Sequence, residues 1–279
     1  MRVIHSRHSK PWQSKRAQSV AACCALACAV FLPGCATPGG GAGNGGSIVA
    51  STATASNIPR VGFLADYDRL RPVSGLGGLL CWKTGNVDWK QYDKVQVERI
   101  LVSLKPGTSQ STVDPGDLKT LTDYFRSALV TAIKPTAQVV DKAGPGVLQV
   151  RIALTDLVPT GTVDSLTGTL VPYGFVAEAA SGAASGLPAG STPYMGETGM
   201  QAQFRDGTTG KVMGECADTE IGRKYAASVD QGAANATTTW INGYMDSFTS
   251  WSYAKDAFDK WATLFAERFN KLRGIPANQ

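Results

Sequence analysis

The stretch VLQVRIALT, residues 147–155, decides the fold class of this 279-residue chain. Its side chains alternate between apolar and polar with a period of two, which is the pattern of a β-strand whose two faces have different surroundings. The apolar face comprises Leu148, Val150, Ile152 and Leu154, and the polar face comprises Gln149, Arg151 and Thr155. Such a strand is typical of a mostly antiparallel sheet that is covered by helices on one face.

Neighbouring segments predict more strands for the same sheet. Apolar and small residues alternate at 200–204 and again at 212–216, with the polar turn DGTTG at 206–210 between them, so a hairpin is expected here. Upstream, residues 92–104 alternate with one change of phase, which predicts a strand with a bulge. A short strand is expected at 137–140.

Two helices are predicted from apolar residues at helical spacing. The first begins at Asp114-Pro115, where the aspartate suits the cap and the proline suits the first turn, and it runs to Ile133. The second ends near Arg273, before Gly274. Together with the strands, these helices predict an α+β fold, a two-layer sandwich in which helices pack on one face of a mostly antiparallel sheet.

The N-terminal segment has the three parts of an export signal. Residues 1–16 are cationic and polar, and Val20–Leu32 is an apolar run of thirteen residues, shorter than the ~20 that a membrane-spanning helix needs. The sequence LPGC that follows, ending at Cys35, resembles the lipobox of bacterial lipoproteins. That resemblance implies cleavage before Cys35 and lipidation of its thiol. An ordinary cleaved secretory signal is the alternative.

A multiply acylated N-terminus would anchor the protein to a membrane without spanning it. Because Ala36 rather than aspartate follows the cysteine, the lipoprotein resemblance implies the outer membrane, on its periplasmic side. The predicted organisation is a signal peptide at 1–34, a lipidated cysteine and flexible glycine-rich tether at 35–58, a single periplasmic domain at 59–274 and a tail at 275–279.

Charge and histidine content exclude several classes of function. Five of the 27 cationic residues lie in the leader, and the remaining 22 balance the 22 acidic residues, so we expect no nucleic-acid partner. Both histidines, His5 and His8, also lie in the leader, which removes Ser-His and Cys-His catalysis and every imidazole metal site from the mature chain. We therefore expect a protein that is not an enzyme, with no catalytic residue, no metal and no cofactor.

Two weaker motifs do not change this expectation. The SxxK pattern at Ser252–Lys255 lacks its companion motifs SDN and KTG, so a chance match on a solvated helix face is the preferred interpretation. Asp66 and Asp68 are interpreted as turn or cap residues rather than as a catalytic pair of carboxylates.

Cysteine and aromatic residues supply the remaining candidates. Cys81 and Cys216 are the thiols left once the leader is removed and Cys35 is lipidated, and the sequence leaves open whether they are bonded or free. The recurring aromatic residues are Trp240, Tyr244, Phe248 and Trp251. A stripe of this kind usually belongs to a core, and the alternative is a surface for a partner or for the bilayer interface.

Several segments together resemble one family. They are GFLADYDRLRP at 62–72, YDKVQVERI at 92–100, DPGDLKTLTDYFRSAL at 114–129, GPGVLQVRIALTDLVPT at 144–160, DGTTGKVMGE at 206–215 and FDKWATLFAERFNKLRG at 258–274. In this order they are similar to the bacterial lipoprotein family named domain of unknown function 3313. The resemblance implies an exported, membrane-anchored α/β domain. Since it implies no activity, only the lipidation of Cys35 is carried over.

These observations favour a non-enzymatic interaction module of the cell envelope, held on the membrane by its lipid and bound to an envelope protein. The alternative is a periplasmic binding module for a small lipid, peptide or glycan ligand, with aromatic residues in its pocket. A closed apolar cavity would favour the ligand-binding module, whereas a convex aromatic patch would favour a protein partner.

Overall fold

The computed structural model describes residues 49–104, 113–160, 186–188, 191, 196–223 and 251–276. The strands are β1 (Val49–Ser51), β2 (Arg71–Pro72), β3 (Leu80–Lys83), β4 (Lys94–Val97), β5 (Leu101–Val102), β6 (Gln138–Val139), β7 (Val147–Val158), β8 (Glu197–Asp206) and β9 (Val212–Gly222). The α-helices are α1 (Pro115–Ile133) and α2 (Ser252–Arg273), and 3₁₀ turns lie at Tyr67–Arg69 and Trp89–Gln91.

All these strands form one sheet in the order β2-β3-β9-β8-β7-β4-β6, with β1 on β9 and β5 on β7. The long antiparallel strands β7, β8 and β9 form its centre. On the far side of β7 the short strands β4, β5 and β6 pair in parallel. Among the described residues, antiparallel pairs outnumber parallel ones, so the predicted α+β fold with a mostly antiparallel sheet is confirmed.

The predicted ends of the helices agree with the structure. The Asp114 carboxylate caps α1 by accepting a hydrogen bond from the Gly116 amide at 2.7 Å, and Pro115 occupies the first helical position. The last turn of α2 is closed by Gly274, whose φ of 74° is a left-handed conformation that glycine adopts without steric cost. Local sequence therefore fixes where both helices begin or end.

The phase change predicted within residues 92–104 is a one-residue irregularity between β4 and β5. Val97 pairs with Val150, but Leu101 pairs with Ala153, so the upstream segment contains one residue more than β7 over this distance. An extra residue on one strand is the defining feature of a β-bulge, and the prediction of a bulged strand is confirmed.

The structure corrects the predicted start of the folded region. Residues 49–58 were expected to belong to the flexible tether, but β1 pairs with β9 from Val49↔Gly222 to Ser51↔Glu220, and the Ile58 side chain is buried. The low charge and small side chains of this segment are typical of a tether, yet its backbone groups are satisfied by the edge of β9.

Both faces of the sheet are covered. The main core lies between one face and the two helices, as expected. A second, smaller core on the other face was not predicted; it comprises Ile58, Leu64, Leu70, Leu80 and Ala217, and the segment 53–70 supplies most of it. Among the described residues, neither helix is both long and apolar enough to cross a membrane.

Candidate functional site

The main core contains an apolar cavity of about 270 Å³ between the sheet and helix α2. Alternate residues of β7 and β8 line its sheet side: Leu148, Val150, Ile152, Met200, Ala202 and Phe204. These residues belong to the faces that the sequence predicts to be apolar. A small residue leaves this space, because Ala202 stands where a larger side chain would fill the gap between the layers.

Aromatic side chains form the helix side of the cavity. Phe265 of α2 stacks on Phe204 of β8 with ring centroids 5.4 Å apart, and on Phe269 at 5.8 Å. Trp261 closes the inner end together with Phe125 of α1, at a centroid distance of 5.8 Å. Rings in offset stacks are rigid and offer broad apolar surfaces, so the cavity has defined walls.

A disulfide forms part of the cavity wall. Cys81 on β3 and Cys216 on β9 are directly opposite each other, with their Cα atoms 4.1 Å apart, and their sulfur atoms are bonded. Both residues line the cavity. The bond therefore links β3 to the centre of the sheet at the point where β3 contributes to the cavity.

Two of the residues that line the cavity are charged, and both are cations. They are Lys83 at the end of β3 and Arg268 on α2. Lys83 is exposed and Arg268 is half-buried, whereas the aromatic and aliphatic wall lies deeper. Within the described part of the chain, neither cation has a carboxylate within salt-bridge distance. The mouth of the cavity is therefore positive and its interior is apolar.

A buried polar cluster fastens α2 to β9 beyond the cavity. The Asp218 carboxylate accepts hydrogen bonds from the Trp261 indole at 2.8 Å and from the Ser51 hydroxyl at 2.5 Å. Lys260 donates to Oε1 of Glu220, whose Oε2 has no partner among the described residues. Burial and the neighbouring Asp218 raise the pKa of Glu220 well above its ordinary value.

This cluster brings two carboxyl groups together, but it is closed. Asp218 is 1% exposed and Glu220 is 0% exposed, so no substrate reaches them. Within the described ranges, no group of three or more His, Cys, Asp or Glu side chains is arranged to hold a metal ion. The cluster therefore positions α2 rather than forming an open reaction site.

Several residues singled out from the sequence lie outside the part of the chain that the structure describes. They are Cys35, Trp240, Tyr244 and Phe248. Trp251, which directly precedes α2, is half-buried against the main core. Its indole donates a hydrogen bond at 2.9 Å to a carboxylate oxygen of Asp117 on α1.

The Asp66–Asp68 pair and the SxxK pattern make contacts that stabilise the fold. The Asp66 carboxylate caps a 3₁₀ turn by accepting from the Asp68 amide at 3.1 Å, which is the cap role expected from the sequence. Asp68 is exposed and paired with Arg60 at 2.5 Å, and this hydrogen-bonded guanidinium lowers the pKa of Asp68. Lys255 lies with its ammonium 5.5 Å from the centroid of the Tyr124 ring.

Comparison with known proteins identifies the family. Residues 59–265 match the sequence model of the family described as "Protein of unknown function (DUF3313)", which is well over half of the chain. The chain belongs to this family. The predicted membership of this family is thereby confirmed.

Segments of the chain that are distant in sequence meet at the carboxylate of Glu215. Its Oε1 accepts hydrogen bonds from the Ala65 amide and the Gln203 side chain, both at 2.6 Å. Its Oε2 accepts from the Asp66 amide and the Trp82 indole, both at 3.0 Å. The segment 62–72 is thus held over the second face of the sheet by one buried carboxylate, a contact that sequence reasoning missed.

Solved structures of PelC are similar to part of this DUF3313 chain. Two crystal forms of the PelC dodecamer from Paraburkholderia phytofirmans, one of a point variant, are 12% and 10% identical to it, with TM-scores of 0.30 and 0.29. Each match covers 62% of this chain. It covers 98% of the PelC chain in the point variant and 100% in the other crystal form. At these TM-scores the likeness carries no argument about function. No curated protein matches the chain significantly.

Proposed function

We propose that this protein is an envelope lipoprotein, anchored through Cys35 on the periplasmic side of the outer membrane, whose domain binds the apolar part of a small ligand. The observation that carries this proposal is the apolar cavity between the sheet and α2. It favours the ligand-binding alternative of the sequence analysis over the protein-interaction module. In this role the protein binds and performs no catalytic step.

The size and lining of the cavity fit an apolar ligand. An apolar cavity of about 150 Å³ binds benzene in an engineered protein, and the cavity here is about 270 Å³. Empty apolar space forgoes dispersion contacts with its walls, so an alkyl chain that enters gains contacts and leaves water. A peptide or glycan would need several polar partners that these walls do not supply.

Binding to an envelope protein, which the sequence analysis favours, stays a prediction. It depends on an aromatic stripe of which Trp240, Tyr244 and Phe248 lie outside the described residues. Trp251, the fourth member, packs against the main core and does not add to an exposed patch.

Ligand binding is tested by photo-crosslinking in isolated membranes that contain the full chain. A neutral alkyl alcohol with a diazirine near the end of its chain should label peptides from β8 and α2 that line the cavity. Ala202→Phe places a ring in the cavity and should remove this labelling. Ala143→Phe, at an exposed loop position, is the matched control.

Melting curves of both variants separate a filled cavity from a damaged fold, and Ala202→Leu is the milder replacement if Ala202→Phe does not fold. The proposal would be contradicted if Ala202→Phe or Ala202→Leu folded and its cavity peptides were labelled as strongly as those of the unsubstituted protein. So would labelling spread evenly over the surface of the unsubstituted protein.

The anchor is tested by growth with an alkyne-bearing palmitate. The unsubstituted protein should carry the label and Cys35→Ser should not. Cys28→Ser, in the leader, should be labelled like the unsubstituted protein, because it changes a cysteine that lies before the cleavage site. Equal labelling of Cys35→Ser would refute lipidation at Cys35.

A further inference from the structure

Resting on the ligand-binding function proposed above, we propose that the ligand is a single-chain amphiphile with an anionic head group. Its chain lies in the cavity, and Lys83 and Arg268 bind its carboxylate or phosphate at the mouth. The juxtaposition that carries this inference is an apolar interior with two cations at its edge.

The position of Lys83 follows from strand geometry. Residues two apart on a strand project from the same face, so Lys83 leaves the sheet on the side of Cys81, whose side chain lines the cavity. Lys83 is the last residue of β3 and is exposed. Its long side chain therefore carries a charge to the cavity edge while its methylene groups extend the apolar wall.

The position of Arg268 follows from helix geometry. Residues three and four apart on a helix are neighbours on its surface, and Arg268 lies within this spacing of Leu264, Phe265 and Leu272, which all line the cavity. Its side chain is half-buried. A planar guanidinium with five donors can bind a carboxylate or a phosphate through two parallel hydrogen bonds.

The charge of the mouth selects the head group. Within the described residues no carboxylate pairs with Lys83 or Arg268, in contrast to Lys260, which is paired with Glu220 deeper in the same layer. Both cations line the same cavity, so an anionic head group at its edge gains attraction from each of them. A neutral head group gains nothing comparable, and a cationic one is repelled.

The size of the cavity selects a single chain. A volume of about 270 Å³ accommodates one short or folded-back alkyl group rather than the two chains of a diacyl lipid. Fatty acids and monoacyl phosphates share the required chemistry, one chain and one anionic group. They differ only in the head that Lys83 and Arg268 would contact.

Three photoactivatable probes with the same alkyl chain test this inference in isolated membranes containing the full chain: a carboxylic acid, an alkyl phosphate and the neutral alcohol. Cavity peptides should be labelled at least about fivefold more by one of the anionic probes than by the alcohol at equal membrane concentration. A fivefold difference corresponds to about 1 kcal/mol. The stronger anionic probe identifies whether the head is a carboxylate or a phosphate.

The double variant Lys83→Gln with Arg268→Gln should lower the ratio of anionic to alcohol labelling from at least about fivefold to about one. The matched control is Lys142→Gln with Lys211→Gln, which removes the same charge from exposed positions outside the cavity. Equal loss in the control, or no loss in the double variant, overturns the inference while alcohol labelling still supports ligand binding. Absence of cavity labelling by all three probes overturns both proposals.

Discussion

The two faces of the sheet are stabilised in different ways. On the second face, the buried carboxylate of Glu215 has four hydrogen-bond donors, and Gln201 accepts from the Tyr67 hydroxyl at 2.8 Å while donating to the Pro59 carbonyl at 2.5 Å. On the helix face, a cavity remains, and buried oxygens of Glu220 and Thr198 have no partner among the described residues.

This difference separates a structural contact from the cavity proposed to bind a ligand. A buried polar group whose hydrogen bonds are all formed holds one arrangement of the chain and has no capacity left for binding. A layer with unfilled apolar space can still gain contacts. The segment 53–70 is thus a fixed cover, whereas α2 is one wall of the cavity.

The largest effect is expected from removing the Glu215 carboxylate. Glu215→Ala leaves four hydrogen-bond donors without their acceptor, of which the Gln203 amide is buried and the other three are partly or fully exposed. It should lower the free energy of unfolding by about 3 kcal/mol. Urea unfolding of the full chain measures this loss. Glu267→Ala, at an exposed position on α2, is the matched control and should stay within about 0.5 kcal/mol.

An isosteric change sharpens the interpretation. Glu215→Gln keeps the shape but turns an amide donor toward donors such as the Trp82 indole, so its cost should lie between those of Ala and the unsubstituted residue. If Glu215→Ala and Glu267→Ala had equal stability, the second face would not depend on this carboxylate.

A pair of alanines compares the space on the two faces. Ala217 is 0% exposed and packs in the second core, so Ala217→Leu should overpack it and destabilise the protein by about 1–3 kcal/mol. Ala202 lines the cavity, so Ala202→Leu should cost less than about 1 kcal/mol or stabilise the protein. Thermal unfolding of both variants would refute the contrast if their losses were equal.

The elements of the fold could be predicted because their signals are local. The alternation in β7, the turn at 206–210 and the cap at Asp114 each lie within a few residues of the structure that they specify. The pairing of β4 and β5 with β7 in parallel gave no such signal. It depends on which edge of β7 remains free after β8 has paired with the other.

The site could not be predicted in the same way. The four donors to Glu215 come from residues 65, 66, 82 and 203, and nothing in the sequence near Glu215 indicates that they converge. The apolar faces that line the cavity were predicted, but the gap between them depends on the height at which α2 lies over Ala202. The small size of Ala202 was the one available signal.

The smallest effect is expected in the pH dependence of stability. It tests the face of the sheet beneath the helices, where a buried oxygen of Glu220 has no hydrogen-bond partner among the described residues. Burial holds the pKa of Glu220 above its ordinary value of 4.5, so the folded protein binds a proton that the unfolded chain has released. Stability from this group is therefore complete below pH 4.5 and falls as pH rises toward the raised pKa, by at most about 1.4 kcal/mol per pH unit. Glu220→Gln should flatten the decline in melting temperature above pH 4.5, whereas Glu267→Gln should leave it unchanged. A steeper decline in Glu220→Gln would mean that the ion pair with Lys260 outweighs burial, and α2 would then be held by charge rather than by a protonated acid.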